Sequence, residues 1–129
     1  MHASNLSIYL VDDDASVRRA LTRLLKSIGL ETFAVASAEA FLQARPWVPE
    51  ACLILDVQLP GMTGWELVDY LRATNIKIPG IIMTTYNNRQ MQDHAMEADV
   101  VAYLRKPFHD QELIAALQRV ISQRRAEPG

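Results

Sequence analysis

The sequence predicts an α/β fold, in which five parallel strands form a central sheet with helices on both faces: a doubly wound three-layer sandwich. Three observations predict it. Five short apolar runs alternate with segments of helical periodicity, and one of these runs is apolar throughout, as a central parallel strand requires. Acidic or other polar residues follow several of the runs, at the points where parallel strands would end.

The first half of the chain supplies two strand–helix units. Residues 7–11 (SIYLV) are rich in β-branched and aromatic residues and stop at three aspartates. From residue 15 to residue 28 apolar side chains recur every three or four positions, which predicts an amphipathic helix that Gly29 ends. Residues 31–35 (ETFAV) predict the second strand, and residues 37–44 predict a short helix whose first residue, a serine, is its N-cap.

The second half of the chain supplies the remaining elements. Residues 51–56 (ACLILD) predict a third strand that is buried on both faces. Thr63 and Glu66 form a T-x-x-E capping box, which predicts the start of a helix that runs to residue 72. The other elements are predicted at residues 79–85 (fourth strand), 87–98 (a helix of weak periodicity), 100–104 (fifth strand) and 110–123 (final helix).

Composition and charge exclude several classes of protein. With 129 residues, half of them apolar, we expect one domain over residues 1–123 and a tail or linker start at 124–129. A formal charge of −2 gives no basic footprint for direct binding to nucleic acid. No signal peptide and no membrane-length apolar stretch is visible, and the single cysteine, Cys52, lies in an apolar run. These features predict a soluble cytoplasmic protein.

Polar residues collect at one edge of the predicted sheet. Asp12 and Asp13 follow the first strand, Asp56 follows the third, Thr84 closes the fourth and Lys106 follows the fifth. In the flavodoxin-like strand order 2-1-3-4-5 the first and third strands are neighbours at the switch point, so the three carboxylates should converge. Carboxylates this close repel one another unless a cation offsets them, and oxygen ligands favour Mg²⁺. Together with a hydroxyl and an ammonium group, they predict a phosphoryl-transfer site.

Four segments carry a resemblance to a known family. They are LVDDD (10–14), LILDVQLPGMTGWEL (53–67), Thr84 and YLRKPF (103–108). In this order they resemble the receiver domain of two-component response regulators over residues 7–123. The sequence around Asp56 is most similar to that of FixJ-type receivers, which precede LuxR-type helix-turn-helix output domains.

The resemblance implies a role for each residue of the acidic edge. Asp56 would accept a phosphoryl group from the phosphohistidine of a sensor histidine kinase or a phosphotransfer protein. Asp13 and Asp56 would ligate Mg²⁺ directly, Asp12 would contribute mainly through water, and the Gln58 carbonyl would be a further ligand. Lys106 would bridge the acidic cluster and then contact the phosphoryl group.

The resemblance also implies a switch. Thr84 would move toward the phosphoryl oxygen and let Tyr103 turn inward. This movement would reshape the face built from the predicted helix 87–98, the fifth strand and the final helix. That face would then control a partner or output domain, or form a phosphorylation-dependent homodimer.

Several residues depart from the usual pattern or are expected to tune the site. Thr85 stands where such receivers usually carry a small residue, so its side chain could narrow access to the phosphoryl site, and Thr85→Gly should change the rates there. Tyr86 and Gln58 lie where side chains can shield the site from water. Asp99 replaces the usual glycine after the predicted helix 87–98, where aspartate can tolerate a positive φ.

Three alternatives remain open at this point. A pseudo-receiver would use the same fold as a protein-interaction module that never carries phosphate, and Thr85 is the main reason to consider it. A haloacid-dehalogenase-type phosphatase would use Asp12 as nucleophile and Asp14 as acid, although Asp14 is also a good helix N-cap. A DNA-binding regulator would need an output domain, and these residues contain no helix-turn-helix.

Overall fold

Five parallel strands form one sheet in the order β2-β1-β3-β4-β5, as predicted. The structure is a computed structural model, and it describes residues 6–85 and 99–126, with side chains to residue 123. Tyr86 and the predicted helix 87–98 lie outside this range. The strands are β1 (Ser7–Val11), β2 (Glu31–Val35), β3 (Ala51–Asp56), β4 (Gly80–Thr84) and β5 (Val100–Arg105). The helices are α1 (Ala15–Ser27), α2 (Ala38–Gln43), α3 (Gly64–Ala73) and the C-terminal helix (Asp110–Ala126).

The sheet is covered on both faces, which accounts for the continuous apolar character of β3. All six residues of β3 are buried, because helices pack on either side of it. One hydrophobic cluster fills the side of α1 and the C-terminal helix, and a second fills the side of α2 and α3. Cys52 belongs to the first cluster, where burial raises the pKa of its thiol to about 12. Cys52 is therefore a small buried residue of the core, in agreement with its position in an apolar run of the sequence.

The start of each of the first three helices agrees with its predicted cap. The Asp14 carboxylate accepts hydrogen bonds from the backbone N–H groups of Ser16 and Val17 at the start of α1. Ser37 accepts from the third residue of α2 in the same way. Thr63 and Glu66 form the complete capping box at α3. These caps fix where each helix leaves the edge of the sheet that carries the polar residues.

The C-terminal helix is longer than its apolar pattern indicates. The prediction ended it at residue 123, after the last apolar side chains, but the helix continues to Ala126. Residues 124–126 are two arginines and an alanine, which have a high intrinsic helix propensity. Within the described residues, every helix is too short or too polar to cross a lipid bilayer.

Candidate functional site

Three carboxylates meet at the carboxyl ends of β1 and β3. These strands pair directly, with Val11 opposite Leu55, so the residues that follow them lie side by side. Oxygen atoms of Asp12, Asp13 and Asp56 lie within 4.8 Å of one another. Asp12 and Asp56 are buried, whereas Asp13 is exposed. The predicted convergence of the three aspartates is confirmed.

Lys106 joins the two buried carboxylates from the end of β5. Its ammonium Nζ lies 2.7 Å from Asp12 Oδ2 and 3.1 Å from Asp56 Oδ2. The backbone N–H of Lys106 donates to the carbonyl of Thr84 at 2.7 Å, which ties the end of β5 to the end of β4. One cation therefore partly neutralises the pair, and backbone pairing holds it in position.

The second oxygen of each buried carboxylate accepts a backbone hydrogen bond from two residues further along. Asp12 Oδ1 accepts from the Asp14 N–H at 2.9 Å, and Asp56 Oδ1 accepts from the Gln58 N–H at 2.9 Å. The guanidinium of Arg18 donates to the Asp12 carbonyl at 2.7 Å and so holds this loop from α1. Each carboxylate consequently has its orientation fixed at both oxygens.

Gly64 lets the start of α3 lie directly against the backbone that carries Asp56. A Cβ placed on Gly64 would lie 2.5 Å from Val57 Cα and 2.6 Å from the Asp56 carbonyl oxygen, distances shorter than van der Waals contact. The Gly64 N–H donates to the Val57 carbonyl at 3.1 Å. The glycine is therefore required by close packing of two backbone segments, rather than by an unusual φ.

The electrostatics of the site follow from burial and from the ammonium group. Burial raises the pKa of Asp56, the Gln58 N–H and Lys106 oppose this effect, and the charge of Asp12 adds to it, so the net direction is upward. For Lys106, partial burial lowers the pKa, but the hydrogen bond to Asp12 and the two negative charges outweigh it, and the pKa rises. Lys106 is therefore charged at neutral pH. The raised pKa of Asp56 means that burial makes its ionised form less favourable than in water.

We expect Asp56→Asn to raise the thermal unfolding midpoint of the metal-free protein by a few degrees at pH 7. The pKa of Asp56 is higher in the folded chain than in the unfolded chain. The native protein therefore loses stability as the pH rises from the unfolded pKa through the folded pKa of this carboxyl group. Asparagine does not titrate, so the advantage of the variant should shrink as pH falls toward the unfolded pKa of about 3.9. Differential scanning fluorimetry with EDTA at several pH values measures this.

The exposed carboxylate of Asp69 on α3 provides the control for this measurement, through Asp69→Asn. That variant makes the same carboxylate-to-amide change at the protein surface, and its midpoint at pH 7 should stay close to that of the native chain. A midpoint for Asp56→Asn at or below that of the native chain at pH 7 would contradict the expectation.

The remaining predicted residues lie around the same edge. Thr84 is buried at the end of β4, and Tyr103 is half-buried in β5, opposite Ile82 of β4. The Thr85 hydroxyl donates a hydrogen bond of 2.5 Å to Gln58 Oε1, which joins two exposed side chains from different loops. Both side chains were predicted to lie near the site, but this bond was not, since it depends on side-chain conformation.

The donor set fits a hard divalent cation. Carboxylate oxygens from two neighbouring strands converge within 4.8 Å, and an exposed carboxylate at Asp13 stands beside two buried ones. The described residues bring no histidine or cysteine into this group, so the ligands are those that Mg²⁺ prefers.

The comparison with known families decides the class of the protein. The model of the response regulator receiver domain matches residues 8–118, which is most of the chain. The chain is a response regulator receiver domain. The receiver is 43% identical over 110 residues to nodulation protein W of Bradyrhizobium diazoefficiens, covering 85% of this chain and 48% of that protein. It is 38% identical over 121 residues to the transcriptional regulatory protein FixJ of the same organism, covering 94% and 58%.

Solved structures agree with this assignment. The receiver superimposes on the crystal structure of FixJ-N with a TM-score of 0.81 and 35% identity, covering 91% of this chain and 94% of that one. The chain is thus a FixJ-like receiver domain of two-component systems. It spans about half the length of the curated relatives that it matches. Because the chain is a receiver and Asp14 caps α1, the phosphatase alternative is dropped.

Proposed function

We propose that this receiver is a phosphoacceptor and that Asp56 carries the phosphoryl group. The observation that carries the proposal is the contact of Lys106 Nζ with both Asp12 and Asp56, beside the exposed carboxylate of Asp13. A module that never carries phosphate has no need of two buried carboxylates, which cost folding free energy. The presence of these two buried carboxylates is explained if they bind a cation and accept a phosphoryl group.

In the proposed transfer, one Asp56 carboxylate oxygen attacks the phosphorus of a phosphohistidine. A P–O bond to Asp56 forms as the P–N bond breaks, and the electron pair of that bond returns to the imidazole of the donor. The hydrogen bond from the Gln58 N–H favours the ionised form of Asp56 and holds its orientation. Lys106 is within reach of Asp56 Oδ2 and supplies positive charge where the phosphoryl oxygens would lie.

Mg²⁺ is the proposed cofactor. Asp13, Asp56 and the Gln58 carbonyl would hold it directly, and Asp12 mainly through water. When bound, this ion supplies charge neutralisation for the equatorial phosphoryl oxygens. Asp12 is fully buried and already bonded to Lys106, which is consistent with an indirect role.

The proposed partner is a sensor histidine kinase or a phosphotransfer protein, and the proposed output is a change at the face of β5 and the C-terminal helix. Thr84 is linked through its carbonyl to Lys106, so movement at the site would reach the end of β5. Tyr103 lies on the same strand, is half-buried, and would turn inward in this change. Phosphorylation-dependent pairing of two copies, or contact with an output domain, would use this face.

Intact-mass measurement after incubation with acetyl phosphate tests the proposal. We expect a phosphoryl adduct on the native chain with Mg²⁺, and none with EDTA. Asp56→Asn should give no adduct under either condition, because an amide cannot accept the group. Circular dichroism of both proteins verifies that they are folded.

The pseudo-receiver is the second candidate, and the Thr85–Gln58 hydrogen bond between the two loops that flank Asp56 favours it. A folded native chain that gains no adduct with Mg²⁺ would overturn the phosphoacceptor proposal and support this alternative. An adduct that persists in Asp56→Asn would show that another residue is modified.

A further inference from the structure

The hydrogen bond between Thr85 and Gln58, which we call the clasp, spans the two loops that flank Asp56. Asp56 of β3 pairs with Met83 of β4, and the Val57 N–H donates to the Met83 carbonyl at 3.1 Å. Gln58 and Thr85 therefore stand two residues beyond one matched pair of the sheet. Their bond of 2.5 Å continues the connection between the two loops after backbone pairing has ended.

The clasp lies on the solvent side of the phosphoacceptor. Gln58 and Thr85 are both exposed, whereas Asp56 and Thr84, which precede them on the two strands, are buried. The Gln58 backbone N–H is bonded to Asp56 Oδ1 at 2.9 Å, so the residue that forms one half of the clasp is anchored to the carboxylate itself.

We propose that the clasp narrows the solvent-side approach to Asp56, and that it thereby slows both loading from a small phosphodonor and loss of the phosphoryl group to water. This inference rests on the proposed function and adds a positioning role for Thr85, which holds the Gln58 side chain across the approach. Thr85 acts through Gln58 and is not assigned a contact with the phosphoryl group.

One approach serves both reactions because the entering and leaving oxygens are in line with the phosphorus. During loading from acetyl phosphate, the bond to Asp56 forms as the bond between phosphorus and the acetate oxygen breaks, and acetate departs toward solvent. During hydrolysis, a water oxygen attacks from that same side, the bond to Asp56 breaks, and the proton of water passes to the phosphate or to solvent. A hydrogen bond that must open for either step should lower both rates by a similar factor.

The decisive variant is Thr85→Val, which removes the hydroxyl and keeps the size and branching of the side chain. Loading and hydrolysis should each accelerate about fivefold, the factor that corresponds to one neutral hydrogen bond. Thr85→Ser keeps the hydroxyl and should restore both rates to near the native values. Both rates are measured by intact mass over time, with acetyl phosphate and Mg²⁺ for loading and after removal of the donor for hydrolysis.

A double-mutant cycle tests whether Gln58 and Thr85 affect the rates through the hydrogen bond between them or independently of each other. Gln58→Met keeps a long side chain without the amide, and it should accelerate both rates as Thr85→Val does. The double variant should be no faster than either single variant, because the same bond cannot be lost twice. The side-chain amide signal of Gln58 in ¹⁵N spectra, recorded without phosphodonor, should shift in Thr85→Val and remain in place in Thr85→Ser.

The outcomes distinguish failure of the clasp from failure of the phosphoacceptor proposal. If the native chain loads normally, two results would overturn the clasp alone. Either Thr85→Val leaves both rates unchanged, or the acceleration in the double variant equals the product of those in the two single variants. Unchanged rates in Thr85→Val with faster rates in Thr85→Gly would assign the effect to side-chain bulk. A folded native chain that never loads overturns both proposals, whatever the amide spectra show.

Discussion

Lys106→Met should destabilise the metal-free receiver by about 3 kcal/mol at neutral pH, because removing one partner of a buried ion pair leaves charge uncompensated. The variant keeps the aliphatic stem and loses the ammonium that contacts Asp12 Oδ2 and Asp56 Oδ2. Both carboxylates are buried, and each would retain one backbone hydrogen bond. Urea unfolding in EDTA measures the loss.

Mg²⁺ should recover part of this loss. Since the variant has no cation between its carboxylates, a divalent ion should increase its free energy of unfolding more than it does for the native chain. Lys77→Met, at an exposed lysine before β4, is the matched control and should cost less than about 0.5 kcal/mol. A cost below about 1 kcal/mol for Lys106→Met, or an equal response to Mg²⁺, would contradict the neutralising role of Lys106.

Gly64→Ala is the second large expected effect, and its sign is informative. Gly64 is the first residue of α3, where intrinsic helix propensity would favour alanine over glycine by at most about 1 kcal/mol, the value for a helix interior. The new Cβ would instead lie 2.5 Å from Val57 Cα and 2.6 Å from the Asp56 carbonyl oxygen, and these backbone atoms cannot rotate away. We expect a net destabilisation of about 2–3 kcal/mol, as for overpacking of a core. Because the displaced segment carries Asp56, affinity for Mg²⁺ should fall as well.

Gly80→Ala provides the control for this substitution. A Cβ there would lie 3.7 Å from the Asp99 carbonyl oxygen and 3.9 Å from that of Leu53, which are ordinary contacts. Urea unfolding should therefore place Gly80→Ala near the native chain, and isothermal titration should give an unchanged affinity for Mg²⁺. A Gly64→Ala protein as stable as Gly80→Ala would show that α3 can move away from β3 at little cost.

The sequence allowed the strand order and the location of the acidic edge to be predicted, because both follow from local patterns. Five apolar runs and their crossovers leave few ways to arrange a parallel sheet, and Asp12 and Asp56 each follow a run directly. The caps at Asp14 and Thr63 were predictable for the same reason, since a cap depends on residues three positions apart.

Contacts between loops were not predictable in the same way. The Thr85–Gln58 bond joins side chains 27 positions apart in the chain, and their separation depends on the assembled sheet. The close approach of the Gly64 backbone to that of Asp56 and Val57, which leaves no space for a Cβ, required three-dimensional information. The end of the C-terminal helix was missed because residues 124 and 125 are arginines, which do not continue the hydrophobic period of the sequence.

The contact between Lys106 and Asp12 joins residues that are 94 positions apart in the chain. A nascent polypeptide synthesised only as far as β4 already carries all three carboxylates, but it lacks the ammonium that belongs between them. The proposed chemistry of the site would therefore become available only after β5 has been translated and added to the edge of the sheet. If the chain were cut between β4 and β5, recovery of phosphoryl acceptance would report that the two fragments had reassembled.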